Sequence, residues 1–354
     1  MDMTDTEKDT KESKSKPAGK DSSLGVGCDM GTMNIVSARR SKNGVTTNRI
    51  RDAFITVPKD NRKMLRLSGV NFVERGDEIV IVGDAAYEMA NMFGAETRRP
   101  LQAGLIAAGE VDALEILGLL VKHVLGEPKV KDEVCYYSVP AAPVDDPTRD
   151  VIYHQGILGK IITECGFKAM PANEAMAIVY SECAKENFSG IAFSFGSGMT
   201  NIALSLYTQE GLSFSIARGG DWLDAGAARS TGSTQSRMCS IKEKGLDLMK
   251  PQGRDQEALA VYYKNLIEYS LDQVANEFDK VRSKFDLPGA IPLVVSGGTS
   301  KAGGFLEFFQ EVFESKRKRF PIEVSEIRAA RDPLNAVAQG LLVQAVQEYE
   351  DDED

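Results

Sequence analysis

Phe193-Ser194-Phe195-Gly196-Ser197-Gly198-Met199-Thr200-Asn201 is the stretch on which the reading of this chain turns. A second stretch, Gly27-Cys28-Asp29-Met30-Gly31-Thr32, follows the apolar start Leu24-Gly25-Val26. Each lies between apolar runs that alternate as hairpin strands do. A tight turn made of glycine and a small hydroxyl residue leaves backbone N–H groups exposed, and such groups cradle phosphate. One such turn is a weak signal. Two of them, one in each half of the chain, predict two similar lobes gripping one polyphosphate from opposite sides.

The flanking pattern supports a duplication. After the first turn, 35–39 returns as a strand, and Asn43-Gly44 makes a tight turn before a strand at 45–50. Residues 64–82 read as alternating strands and turns. Helical spacing covers 85–92, 111–125, 149–166 and 172–185, with a buried-type strand at 134–139 ending at Pro140. The second half restarts with strands at 190–195, 202–207 and 212–218. Strand, glycine turn, strand, turn, strand thus occurs twice, a duplication of architecture rather than a short-period repeat. Beyond it come a long helix at 256–285, a strand at 291–295, and helices at 305–317 and 336–346. The fold class expected is α/β, two duplicated lobes with a nucleotide cleft between them. The expected divisions are a tail (1–22), a first lobe (23–170) with an insert near 55–105, a second lobe (171–345) with a helical insert near 221–290, and an acidic end (346–354).

Composition bounds the function. At 354 residues, 42% hydrophobic and 27% charged, the chain reads as globular and long enough for two cores. A net charge of −10 argues against a general nucleic-acid binder, which shows a basic stripe. The densest basic run, Lys316-Arg317-Lys318-Arg319, reads as a solvated helix end. Cys28, Cys135, Cys165, Cys183 and Cys239 have no CxxC pairing, so reduced thiols in a cytoplasmic setting are expected. His123 and His154 lack zinc-ligand spacing. No secretory leader and no apolar run of membrane-spanning length is visible, so no direct membrane insertion is expected. The polar tail 1–22 cannot offset its ordering entropy and is expected to be disordered.

The chemistry gathers at glycine turns. Backbone N–H groups of Gly31, Thr32, Gly196, Ser197, Gly198 and Met199 are candidates for holding phosphate, flanked by Met33, Asn34 and Asn201, with the Thr32 and Thr200 hydroxyls as further donors. Asp29 would repel phosphate. It either holds water on a magnesium ion, which binds few carboxylates and keeps its waters, or satisfies N–H groups of its own turn. Ser296-Gly297-Gly298-Thr299 lets backbone approach a planar ring or ribose closely, or is an ordinary strand-to-helix turn. In Arg218-Gly219-Gly220-Asp221, a glycine pair enters a helix with Asp221 as its cap.

Taken in order, these motifs resemble the actin superfamily of ATPases, and within it the bacterial actins of the MreB, MamK and ParM kind. Asp29-Met30-Gly31-Thr32 and 195–201 resemble its two phosphate loops, and Asn173-Glu174-Ala175-Met176-Ala177 resembles its connecting helix. Gly219-Gly220-Asp221 and Asp224 resemble the entry to the second outer subdomain, and Gly297-Gly298-Thr299 the adenosine loop. The segment from Asp332-Pro333-Leu334 to Gly340 resembles the closing strand-to-helix segment of MreB proteins. The resemblance implies ATP and Mg2+ as ligands, with Asp29 at the metal. It implies nucleotide contacts from Lys242 and Glu243, whose spacing fits a surface helix equally well. Two departures stand out. Ser194 occupies a position where the family usually carries Asp. Val139-Pro140 is followed by Asp145 and Asp146 in place of the family's water-activating Glu or Gln; these either orient water or are solvated carboxylates at a helix start. The expected function is an ATP-hydrolysing protein that polymerises with copies of itself, in company with protein adaptors. The alternatives are a non-polymerising ATP-binding adaptor and, further off, a small-molecule kinase on the same fold.

Overall fold

The computed structural model describes residues 23–70, 72–284 and 289–350. The tail 1–22 and the last acidic residues 351–354 lie outside the described residues. The chain begins with an antiparallel meander of β1 (Val26–Met30), β2 (Asn34–Ser41) and β3 (Gly44–Arg51). It then builds a small insert from β4 (Phe54–Pro58), α1 (Arg62–Leu67), β5 (Phe72–Arg75), β6 (Glu78–Val82) and α2 (Asp84–Phe93). Its three strands pair in the order β4-β6-β5. A short ribbon, β7 (Leu101–Gln102) and β8 (Leu105–Ile106), leads back to α3 (Ala113–Leu125). Then β9 (Glu133–Val139), α4 (Val151–Glu164) and β10 (Phe167–Asn173) complete the first sheet, in the order β10-β9-β1-β2-β3.

The second lobe repeats this plan. After α5 (Glu174–Glu182) comes a meander of β11 (Gly190–Phe195), β12 (Thr200–Leu206) and β13 (Gln209–Ile216). A helical insert follows: α6 (Gly220–Thr231), α7 (Gln235–Lys244) and α8 (Gly253–Val281). The lobe closes with β14 (Ile291–Ser296), α9 (Phe305–Lys316) and β15 (Val324–Ala329), and the sheet order is β13-β12-β11-β14-β15. In both lobes the glycine turn joins the central strand to its antiparallel neighbour, and the strands on the other side run parallel to it. The duplication expected from the sequence is therefore present strand for strand.

Each sheet is backed by its own core. In the first lobe Val26, Cys28 and Ile35 meet Leu117, Leu120 and Val121 of α3 and Leu158 and Ile162 of α4. The helical spacing of α3's buried positions is what turns one face inward. In the second lobe Phe193 and Phe195 stack at 5.8 Å, and Phe305 meets Phe195 edge-on at 5.3 Å. These rings sit under the second glycine turn and stiffen the strand that carries it. The lobes are joined where α10 (Ala336–Glu350) and α5 cross. The approach is close enough to require glycine twice. A Cβ on Gly340 would lie 1.7 Å from the Ala177 carbonyl oxygen, and one on Gly27 would lie 2.1 Å from that of Ala338.

The structure corrects several local expectations. Residues 167–173 form a strand, so α5 starts at Glu174 and not at 172. Part of 64–82 is the helix α1, and 324–329 is an edge strand. Asp221 is not the cap of α6: Gly219 holds that position without a side-chain bond, and Asp221 lies in the first turn. Helices α6 and α7 lie within the stretch near 221–290 where a helical insert is expected.

Candidate functional site

Both glycine turns open onto one cavity of about 360 Å3 between the lobes, a size in the range of small-molecule sites. Gly31, Thr32, Met33 and Asn34 line it from the first lobe, and Gly196, Ser197, Gly198, Met199 and Asn201 from the second. The turns are tight because side chains are excluded from them. A Cβ on Gly31 would lie 2.6 Å from the Asn34 carbonyl oxygen. Gly196 N–H donates to the Met199 carbonyl at 3.0 Å, which closes the second turn. Gly297, Gly298 and Thr299 form a third wall at the end of β14. Gly297 has φ +92, and a Cβ there would lie 2.4 Å from the Phe195 carbonyl oxygen. A Cβ on Gly298 would meet only Leu334, at 3.7 Å, so a flat surface stays free there. Lys242 and Glu243, from α7, line the same space.

Other candidates stand behind the wall or away from it. Thr200 is buried, and its hydroxyl donates to the Arg218 carbonyl at 2.9 Å. Gly220 N–H donates to the Gly196 carbonyl at 2.9 Å and Asp221 N–H to that of Ser197 at 2.8 Å, so 219–221 brace the second turn from outside. Asp145 and Asp146 do not line the cavity. Asp145 accepts from Ala217 N–H at 2.7 Å, and Asp146 pairs with Arg149 at 3.0 Å and accepts from Thr148. Asp146 is held by near neighbours and Asp145 by the second lobe, while the cap of α4 is Asp150, so the two stand neither at the cavity nor at the helix start itself.

Of the carboxylates that line the cavity, Asp84 and Glu243 pair with Arg51, and two stand between the turns: Asp29, near the end of β1, and Glu174, the first residue of α5. Asn173 caps α5 by accepting from Ala175 and Met176 N–H at 2.9 and 3.0 Å, and this cap sets Glu174 on the first turn. Glu174 accepts from the Ser194 hydroxyl at 2.6 Å and from the Asn201 amide at 2.9 Å. Asp29 accepts from the Ser138 hydroxyl at 2.9 Å. Burial pushes Asp29 up, and the charge of Glu174 pushes it further, to about 8, against the Ser138 hydrogen bond. Burial likewise pushes Glu174 up, against the bonds from Ser194 and Asn201. Two desolvated carboxyl groups facing each other hold protons in excess unless a cation is present. Ser194 is thus no simple loss of charge at this wall, because its hydroxyl is bonded to the carboxylate of Glu174. The sequence reading had quoted Glu174 only as part of a hinge.

The walls fit a polyphosphate with a divalent cation. The Ser197 hydroxyl is buried and has no partner, a donor left for an acceptor oxygen. Among the described residues no group of three or more His, Cys, Asp or Glu side chains is arranged around a metal. A pair of carboxylates is what magnesium accepts, since it keeps most of its waters. Lys242 is neutralised by Asp224 at 2.9 Å and donates to the Gly220 carbonyl at 2.9 Å. Burial pushes Asp224 up to about 6, against the pull of Lys242. His154 accepts from Ile106 N–H at 3.2 Å, and burial pushes it down to about 4, so it serves the core. The five cysteines are free thiols, three of them buried.

Solved structures share this architecture. A MamK double helical filament is 19% identical, with 91% of this chain and 98% of that chain covered, at a TM-score of 0.67. MreB 5 of Spiroplasma citri bound to AMPPNP is 17% identical over 93% of this chain and 98% of that one, at a TM-score of 0.65. The ethanolamine utilization protein EutJ from Carboxydothermus hydrogenoformans is 17% identical over 91% of this chain and 89% of that one, at a TM-score of 0.53. The fold is therefore the two-lobe actin-like fold. The curated proteins include no match. The Volactin family model matches residues 24–345, nearly the whole chain, and the protein belongs to the Volactin family.

Proposed function

We propose that this protein binds ATP with Mg2+ between its lobes, hydrolyses it slowly, and assembles with copies of itself into filaments. The observation that carries this reading is the pair of glycine turns facing one cavity, with Asp29 and Glu174 between them. Backbone N–H groups of 31–32 and 197–199 would hold the phosphates without a repelling side chain, the Gly196 N–H being spent on closing its own turn. The free surface at Gly298, bordered by Lys242 and Glu243, suits the base and ribose. Asp29 and Glu174 would hold magnesium through its waters, and the ion, when bound, supplies neutralisation of charge on the phosphates. Glu174, which lines the cavity where Asp145 and Asp146 do not, would be the carboxylate that orients a water and takes its proton. Catalysis of this kind is mostly positioning and electrostatics.

Self-assembly rests on likeness of fold to the MamK filament. A contact between unlike faces of identical subunits that does not close on itself makes a filament. Nucleotide state would act through the hinge at Asn173 and Glu174. Sedimentation with ATP and Mg2+, compared with no nucleotide, tests the filament. ATP-dependent pelleting is expected. Saturable ATP binding without pelleting across salt and protein concentration would overturn the filament and favour the adaptor. Turnover that requires an added acceptor would favour a kinase. No described helix is long and apolar enough to cross a membrane.

A further inference from the structure

Several ion pairs join the lobes, Asp145 with Arg218 at 3.9 Å among them, and two others are unequal. Arg51 of β3 reaches Glu243 of α7 at 3.5 Å, with Glu243 well exposed and Arg51 shared with Asp84 at 3.5 Å. A long and shared pair of this kind contributes little. Arg99 instead meets Asp221 in a forked pair, at 2.8 and 3.4 Å. Both side chains are about a quarter to a third exposed (26% and 30%), so the pair is partly shielded from solvent. Two parallel N–H to oxygen bonds fix geometry as well as charge.

What matters is where the two ends of this pair are anchored. Asp221 is tied to the second phosphate turn, because its own N–H donates to the Ser197 carbonyl at 2.8 Å. Arg99 lies in a strap, residues 98–107, that is tied to the first turn through Asp52. Asp52 N–H donates to the carbonyl of Met33 in that turn at 3.0 Å, and the Asp52 carboxylate accepts from Leu101 N–H at 2.9 Å. Asp52 is fully buried, and its other oxygen has no hydrogen-bond partner. Burial pushes Asp52 up to about 8, against the Leu101 N–H and the nearby charge of Arg99. The tip of the strap also seats directly on the second turn: a Cβ on Gly198 would lie 2.0 Å from Gly104 N, and Met199 packs against Gly104.

We infer that Arg99 is a positioning residue that couples the two phosphate turns: its guanidinium is forked to Asp221, which is bonded to the second turn, and its strap is bonded through Leu101 to Asp52, which is bonded to the first. This rests on the nucleotide reading above and adds to it the group that holds the lobes closed on the ligand. Arg99 touches neither turn itself and does not line the cavity; it acts through Asp221 and Asp52. With the pair intact, opening the cleft separates a forked ion pair, so bound nucleotide should leave slowly.

The test is the dissociation rate of a fluorescent ATP analogue, with Mg2+, from the full chain and from R99A, R99K, D221N and the double variant R99A/D221N. The melting temperature without nucleotide serves as the control for folding. Release is expected to quicken at least ~10-fold in R99A and in D221N, and less in R99K, which keeps the charge but not the fork. The double variant is expected to release no faster than the faster single variant, because both changes remove one interaction. Release within ~2-fold of the parent in R99A and D221N, or effects that multiply in the double variant, would overturn the inference while leaving nucleotide binding intact. If R99A does not fold, D221N and R99K decide by the same criterion. Failure of the parent chain to bind the analogue would instead overturn the nucleotide reading, and the inference with it.

Discussion

At the scale of single residues, the cleft is defined by two carboxylates and the neutral groups that hold them. Glu174→Gln keeps size and hydrogen bonding but removes the base. It should leave ATP binding largely intact and slow phosphate release from ATP by ~10²-fold or more, the usual worth of a positioned general base. Unchanged turnover would remove Glu174 from the reaction. Ser194→Asp restores the residue that the family resemblance leads one to expect, yet here it would add a third carboxylate beside Glu174. Without a cation it should lower the melting temperature by several degrees, through a loss of ~1–3 kcal/mol for a hydrogen bond replaced by repulsion. Magnesium and nucleotide should recover much of that loss, and a variant as stable as the parent in EDTA would contradict the account. The raised Asp29 also has a pH signature. In the folded chain it keeps a proton that the unfolded chain gives up, between the ordinary aspartate value and about 8. The folded state then binds more protons, so the metal-free protein should lose stability as pH rises through that window. Mg2+ should therefore raise the melting temperature more at pH 8.5 than at pH 6, and a protective effect independent of pH would argue against a cation at Asp29. Asp29 was legible in the sequence because its turn was. Glu174 was not legible as a cleft carboxylate, because only the Asn173 cap shows which way the first turn of α5 faces. Asp145 and Asp146 drew notice by following Val139-Pro140, but their partners, Ala217 N–H and Arg149, are matters of folded geometry.

At the scale of elements, what the sequence made legible were the strands and helices with strong apolar periodicity. The two glycine turns, the meanders around them and helices such as α3 could be read because burial on one face writes a period into the chain. What escaped was at the edges. β10 and β15 are the outer strands of their sheets, where half the ladder is unpaired and burial is partial. Pro171 inside β10 argues against a central strand but is tolerated at an edge. The crossing of α5 and α10 was equally hidden, since Gly340 enters the sequence reading only as the end of a motif and nothing in the chain shows that Ala177 lies against it. Gly340→Ala should destabilise by ~1–3 kcal/mol or more, because the nearest atom is backbone and cannot swing aside. Gly118→Ala, in α3 with nothing within 4 Å of the new methyl, should instead stabilise by ~0.4–1 kcal/mol. Thermal melts of the two variants check both signs, and a tolerated Gly340→Ala would contradict the close helix crossing.

At the scale of the whole molecule, one strand order is used twice, and both copies present a turn to the same cavity. Sequence alone suggested this duplication, since each half opens with strand, glycine turn and strand. It did not show what holds the halves together over a ligand, because Arg99 and Asp221 are far apart in the chain and meet only when the lobes close. Such a machine should respond to nucleotide as a whole: ATP with Mg2+ is expected to slow proteolysis at the 173–174 hinge, and equal cleavage with and without nucleotide would contradict a ligand-biased hinge. The central claim is that the two turns clasp a purine triphosphate. Its most direct test is calorimetric titration of the purified chain with ATP, with and without Mg2+. The account predicts saturable binding of one nucleotide per chain, tighter with the cation. Absence of heat and of any thermal stabilisation with every purine triphosphate, whether or not a divalent cation is present, would contradict it.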